Sequence, residues 1–143
     1  MIVEPLSLQH FEALELQDAQ NHFEPFMKNA LYRETMIQAG PAYAGICSGR
    51  VVAAAGLAKQ WEGRAIAWSL LAPDIGHHFI EIHRAVKRAL EVYPIRRIEA
   101  HVDPHFESAV RWITLLGFKR ECTMTAFTPM GDDCDLYVRV QNG

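Results

Sequence analysis

The stretch from Ala42 to Pro73, AYAGICSGRVVAAAGLAKQWEGRAIAWSLLAP, permits few arrangements. It holds three apolar-rich runs, separated by Ser48-Gly49 and by Glu62-Gly63. Two-residue connections with glycine second reverse a chain so tightly that the flanking runs pair as antiparallel strands. The stretch therefore predicts three consecutive antiparallel strands, the third being RAIAWSLL, ended at Pro73. A sheet of this kind must bury its apolar faces, and the economical cover is a layer of helices.

The flanking sequence supplies them. Ile2-Val3 reads as a short opening strand, and Ser7 is placed to cap a helix reaching about Ala19, with Leu8, Phe11, Leu14 and Leu16 near one face. Pro25 interrupts, and a second helix is expected from about Phe26 to Gln38, stopped by Gly40. Beyond Pro73 comes the longest helix. Phe79, Ile82, Val86, Ala89, Leu90 and Tyr93 form an apolar stripe, with Glu81, Arg84, Lys87 and Arg88 off it, and Pro94 closes it. RRIEAHV then alternates as a strand, Ile98, Ala100 and Val102 on one face, Glu99 and His101 on the other. A short helix within PHFESAVRWITLLGFKRE stops at Gly117. Strands at about Lys119–Phe127 and Asp135–Val140 surround a turn at Pro129–Asp133. The order is β-α-α-β-β-β-α-β-α-β-β, an α/β (α+β) chain whose mixed, mostly antiparallel sheet carries helices on both faces.

With 143 residues, half of them apolar, the chain is long enough for one domain spanning residues 1–143 with a real core. Fourteen Lys and Arg against 17 Asp and Glu leave a net charge of −3, which argues against a general nucleic-acid partner. Arg84, Lys87, Arg88, Arg96 and Arg97 nonetheless gather in one region and suit a local anionic ligand. Three widely spaced cysteines, Cys47, Cys122 and Cys134, form neither a disulfide framework nor a zinc pattern. His77, His78 and His83 cluster, and His101 and His105 are four apart, but no Cys or carboxylate arrangement supports them, so no metal is expected. MIVEPLSLQH is not a signal peptide and no apolar run has membrane length, so the expected compartment is the cytoplasm, with no membrane partner.

That order, with these lengths, resembles the GCN5-related N-acetyltransferase (GNAT) fold over essentially the whole chain. The family's pattern in the last helix is N-x-x-A-x-x-x-Y-x-x-x-G-F. Ala109 and Gly117-Phe118 match it in register, whereas Phe106 stands at the Asn position and Ile113 at the Tyr position. Of the family's Q/R-x-x-G-x-G/A before the longest helix, PDIGHH keeps a single glycine, Gly76. The segments LLAPDIGHHFIEIHRAVKRAL and IRRIEAHVDPHF are also similar to small acetyltransferase-like proteins of tailed phages (internal virion protein A-like), which implies virion association as an alternative setting.

The resemblance implies acetyl-coenzyme A as co-substrate and an unidentified amine, small molecule or protein, as acceptor. Direct transfer is favoured over a Cys acyl-enzyme, because Cys47 is expected in a hairpin strand without a His partner. A pyrophosphate needs backbone N–H groups at the positive end of a helix. Asp74, Ile75, Gly76, His77 and His78 open the longest helix and can supply them, and Arg84 is placed to reach a phosphate. The plainer alternative is that Gly76 eases a turn and the histidines are solvated. Pantetheine amides can pair with a strand edge. By resemblance that edge is Ser69, Leu70, Leu71 and Ala72, with the Leu71 N–H as donor to the thioester oxygen. Phe106 and Ala109 are expected beside the coenzyme. Glu99 and His101 are the candidate bases for the amine, Glu62 a weaker one, and for each an ordinary structural or surface role is the competing reading. Ile113 cannot protonate a departing thiolate and reads as core packing; Tyr43, Tyr93 or a water are left as substitutes. The missing Gln/Arg, Asn and Tyr support a rival class, a non-catalytic binding or virion structural module. The segment from His22 to Gln38 is expected to line the acceptor site, and a homodimer is compatible with every part of this reading.

Overall fold

Two left-handed turns organise the central strands. Ser48 and Gly49 take φ of 50° and 76°, and Gly63 takes 92°. Glycine adopts such angles without steric cost, which is why the chain can reverse within two residues. Around these turns run β2 (Ala42–Cys47), β3 (Arg50–Trp61) and β4 (Arg64–Leu71), as the hairpin signals predict. In the computed structural model, which describes residues 1–18, 20, 26 and 28–141, the other elements are β1 (Ile2–Pro5), α1 (Leu8–Ala13), α2 (Ala30–Gln38), α3 (Phe79–Val92), β5 (Arg97–Val102), α4 (Glu107–Leu115), β6 (Lys119–Met124) and β7 (Cys134–Val140). A 3₁₀ turn at Gly76–His78 leads into α3. The described strands form a seven-stranded sheet in the order β1-β2-β3-β4-β5-β7-β6. β1 with β2, β2 with β3, β5 with β7 and β6 with β7 pair antiparallel; β4 and β5, joined through α3, pair parallel.

Three boundaries differ from expectation. α1 ends at Ala13 because Leu14 turns extended, at φ −78° and ψ 119°. Leu14 and Leu16 are buried beyond the end of the helix, so their apolar spacing reflected burial and not helix; Ala19 lies outside the described residues. α2 starts at Ala30, where Asn29 Oδ1 accepts from Tyr32 N at 3.1 Å and caps the helix. The part of the expected acceptor segment from His22 to Pro25 lies outside the described residues. β6 ends at Met124, and Ala126 at φ 51° turns the chain away.

Contacts divide the chain into two compact units, Met1–Lys59 with Trp68–Val92, and Gln60–Ala67 with the chain from Tyr93 onward. In the first, Ala44, Val52, Ala54 and Leu57 of the hairpin are buried together with Leu70 and Leu71 of β4. Phe11 of α1 stacks on Trp68, with centroids 6.3 Å apart and an interplanar angle of 17°. α3 buries Ile82 and Leu90 and exposes Glu81, Arg84, Lys87 and Arg88, as the stripe requires. In the second unit Ile98, Ala100 and Val102 of β5 are all buried, as are Ala65, Phe118, Tyr137 and Val138. Fully burying a side chain such as Ile98 contributes about 1.5–3 kcal/mol. α4 buries none of its residues completely, and Ile113 is half-buried. Among the described residues no helix is long and apolar enough to cross a membrane.

Candidate functional site

In the first unit the last residues of β4 are met by glutamines. The register with β5 covers Arg64↔Arg97 to Ile66↔Glu99. Further along, Leu71 N donates to Gln20 Oε1 at 2.9 Å, and Gln20 Nε2 donates to the Ser69 carbonyl at 3.0 Å. Gln17 N donates to the Leu71 carbonyl at 2.9 Å, and Gln17 Nε2 donates to Gln20 Oε1 at 3.2 Å. Toward the hairpin, Ala72 N donates to the Val52 carbonyl at 2.9 Å. Ser69 C=O and Leu71 N–H thus face one way, two residues apart, spaced to hold an amide. Leu70, Leu71 and Ala72 are buried, so these bonds form in a setting that strengthens them. Gln17 and Gln20 have no part in the sequence expectations. No motif or period marks them.

The chain then turns into α3. Asp74 is exposed and left-handed at φ 58°. His78 N donates to the Ile75 carbonyl at 2.7 Å and closes the 3₁₀ turn. A Cβ at Gly76 would meet nothing within 4 Å, so the backbone here stands open to an approaching group. The rings of His77 and His78 lie 3.9 Å apart, tilted by 46°. His78 Nδ1 is 3.7 Å from Glu81 Oε1, while Glu81 Oε2 takes the amino group of Met1 at 2.8 Å. That ammonium holds the Glu81 carboxyl below its usual range. Arg84 is exposed on α3, and Arg50 Nη2 donates to the Pro73 carbonyl at 3.0 Å, a second cation at the junction that the sequence does not announce.

In the second unit Glu99 anchors an ion network. Arg64 and Arg97 are direct partners across the parallel β4–β5 pair, two like charges side by side. Glu99 lies between them: Arg64 Nε and Nη2 donate to it at 2.6 and 2.9 Å, and Arg97 Nε at 2.8 Å. Arg97 also grips Glu121 through both terminal nitrogens, at 3.0 and 2.8 Å. The Arg64 guanidinium lies 4.5 Å from the centre of the Trp61 ring. The Arg64 hydrogen bonds, against an opposing desolvation and with help from Arg97, hold the Glu99 carboxyl at about 2. A carboxylate that is 4 % exposed and committed to three donors has too little proton affinity to deprotonate an amine near neutral pH. These bonds suit Glu99 to balancing the charge of the two arginines and count against its acting as a base.

His101 differs. It is exposed, with its ring edge-on to Phe127 at 5.0 Å. Desolvation, aided by the Arg64 charge and opposed by Glu99, lowers it from 6.5, so the imidazole is neutral at pH 7 and can accept a proton. Glu62 is exposed in a surface depression with Gly63, Pro94 and Arg96. Phe106 occupies the N-cap of α4 without a side-chain cap bond, and both Phe106 and Ala109 are half-buried. Of the five expected basic residues, Arg97 is consumed by Glu99 and Glu121, whereas Arg84, Lys87, Arg88 and Arg96 are exposed. Cys47 and Cys134 are buried free thiols and Cys122 is exposed. Among the described residues no group of three or more His, Cys, Asp or Glu is placed to hold a metal.

No protein-family model matches the sequence, and no curated protein does. Solved structures do resemble the fold. The chain superposes on the ribosomal-protein-S18-alanine N-acetyltransferase of Escherichia coli with a TM-score of 0.74 at 14% identity, covering 99% of this chain and 94% of that one. An N-acetyltransferase from Staphylococcus aureus Mu50 gives 0.74 at 12% identity, with 97% of both chains covered. An acetyltransferase of the GNAT family from Bacillus anthracis gives 0.66 at 16% identity over 96% and 93% of the two chains. At these identities the likeness establishes the architecture: the chain has the mixed α/β fold of GNAT acetyltransferases, as the order of its elements implied.

Proposed function

We propose that the chain is an acyl-coenzyme A-dependent N-acyltransferase that acylates an amine by direct transfer. The observation that carries this reading is the edge of β4, where Ser69 C=O and Leu71 N–H are spaced for an amide and are bonded to one from a side chain. The same unit holds the open backbone at Gly76, at the positive end of α3. These features fit the two parts of a coenzyme A derivative, an amide-bearing arm and a pyrophosphate. Ser69 to Ala72 would hold the arm, Ile75 to His78 the phosphates, and Arg84 and Arg50 supply positive charge. Bound there, acetyl-coenzyme A supplies a thioester open to attack by a neutral amine. The new C–N bond forms as the C–S bond breaks, the amine gives up a proton, and the thiolate leaves.

The chain's own groups have matching roles. The Leu71 N–H is the donor for the oxygen on which charge develops. By the family resemblance alone, His101, whose proton affinity desolvation lowers, is the candidate proton acceptor. Ile113 and Phe106 carry no ionisable group, so the thiolate leaves without help from either. A cytoplasmic setting goes with this reading.

Those two departures favour one alternative, a module that binds the coenzyme without transferring from it, the virion structural component included. Release of coenzyme A thiol from acetyl-coenzyme A, followed over a panel of primary and polyamines, separates them. Amine-dependent release supports the transferase. Saturable binding with no release for any amine leaves the binding module.

A further inference from the structure

Gln20 touches β4 as a ligand would. A carboxamide carries an acceptor oxygen and donor hydrogens on one planar group. Gln20 Oε1 takes the Leu71 N–H at 2.9 Å, and its Nε2 donates to the Ser69 carbonyl at 3.0 Å. A residue of an added strand would make that same pair of bonds with positions i and i+2 of β4. The bonds bridge 51 and 49 positions of sequence, so they are not a local turn or a helix cap. Gln17 secures the arrangement from both sides, with its side chain on Gln20 Oε1 at 3.2 Å and its backbone N–H on the Leu71 carbonyl at 2.9 Å.

We propose that Gln20 is a displaceable amide plug on the β4 edge, standing in for the amide or thioester carbonyl of the incoming coenzyme arm. This rests on the coenzyme reading above. Leu71 has one N–H to give. While Gln20 Oε1 holds it, it serves neither an arriving amide nor a thioester oxygen. Binding therefore requires Gln20 to release both bonds, and the measured affinity is reduced by the fraction of molecules in which the plug is out. The exchange also selects: an arm that offers an acceptor for Leu71 and a donor for Ser69 replaces what it removes, whereas an arm without amides leaves two buried backbone groups unsatisfied.

Two variants, Gln20→Ala and Gln20→Met, test this; Met keeps the length of the side chain and lacks the amide. Hydrogen exchange at the Leu71 amide is measured in the free proteins, and coenzyme A binding by calorimetry, with melting curves confirming that each variant is folded. The plug predicts that Leu71 exchanges at least about tenfold faster in both variants, because a hydrogen bond of ordinary net strength is lost. It also predicts coenzyme A binding about tenfold tighter, the equivalent of about 1.4 kcal/mol. Unchanged Leu71 exchange in both variants overturns the proposal, as does unchanged or weaker binding. Absence of coenzyme A binding by wild type and variants alike overturns the coenzyme reading and the plug's role in it. Faster Leu71 exchange beside that result would locate the failure in the ligand and not in the Gln20 contact.

Discussion

Replacing Glu99 by Gln keeps the shape of the side chain and removes its charge from beneath two arginines. Glu99 is 4 % exposed and receives three hydrogen bonds from Arg64 and Arg97. Its carboxyl is lowered from 4.5 to about 2, which corresponds to roughly 3 kcal/mol of preference for the ionised form in the folded chain. Arg97 and Glu121 are 33% and 49% exposed, so water screens part of the network. We therefore expect Glu99→Gln to cost about 2 kcal/mol at neutral pH, a fall in Tm of about 6 °C for a chain of this size. The pH dependence is the sharper signature. A carboxyl depressed by folding contributes its full stability above the unfolded value of 4.5 and loses it as pH falls toward about 2. Urea unfolding of both proteins from about pH 7 down to about pH 3 should show a constant gap that narrows below about pH 4.5. Equal stability at neutral pH, or a gap that ignores acid, would refute the charge-balancing role. So would a Glu99→Gln protein that keeps its stability and loses only amine acylation.

Gly76→Ala adds a methyl group into open space, so stability should stay within about 0.5 kcal/mol while coenzyme A affinity falls; unchanged affinity by calorimetry would remove Gly76 from the phosphate cradle. For His101, lowered from 6.5 by desolvation, the acid limb of the transfer rate should have its midpoint below 6.5 and should disappear in His101→Gln. A limb that survives the substitution assigns the proton acceptor elsewhere.

The elements legible in the sequence are those whose cause is local. Ser48-Gly49 and Glu62-Gly63 force their reversals within two residues, and the stripe from Phe79 to Leu90 places α3 with its charged residues outward. The helix expected through Leu14 and Leu16 failed because burial does not require a helix; both are buried beyond its end. The strand and helix that carry the proposed site, β4 and α3, were legible as elements. Their side-chain partners were not. Arg64 reaches Glu99 across 35 positions, and Gln20 reaches Leu71 across 51, distances at which no spacing in the sequence records a pairing. Alternation placed Glu99 opposite Ile98, but only the parallel register of Arg64 with Arg97 shows why a carboxylate is required there. The replacement of a family Tyr by Ile113 was visible at once. That Ile113 is only half-buried needed the packing of α4.

The central question is whether a coenzyme A derivative binds the β4 edge and the start of α3. The direct measurement is a titration of the isotope-labelled protein with coenzyme A, read amide by amide and joined to a melting curve. Binding there should give saturable changes that begin at Ser69, Leu71 and Gly76 to His78. It should also give a stabilisation of about 2.7 kcal/mol at a hundredfold excess over the dissociation constant. Changes confined to other surfaces, such as the depression beside Glu62 and Arg96, or no saturable change up to millimolar ligand, would contradict it.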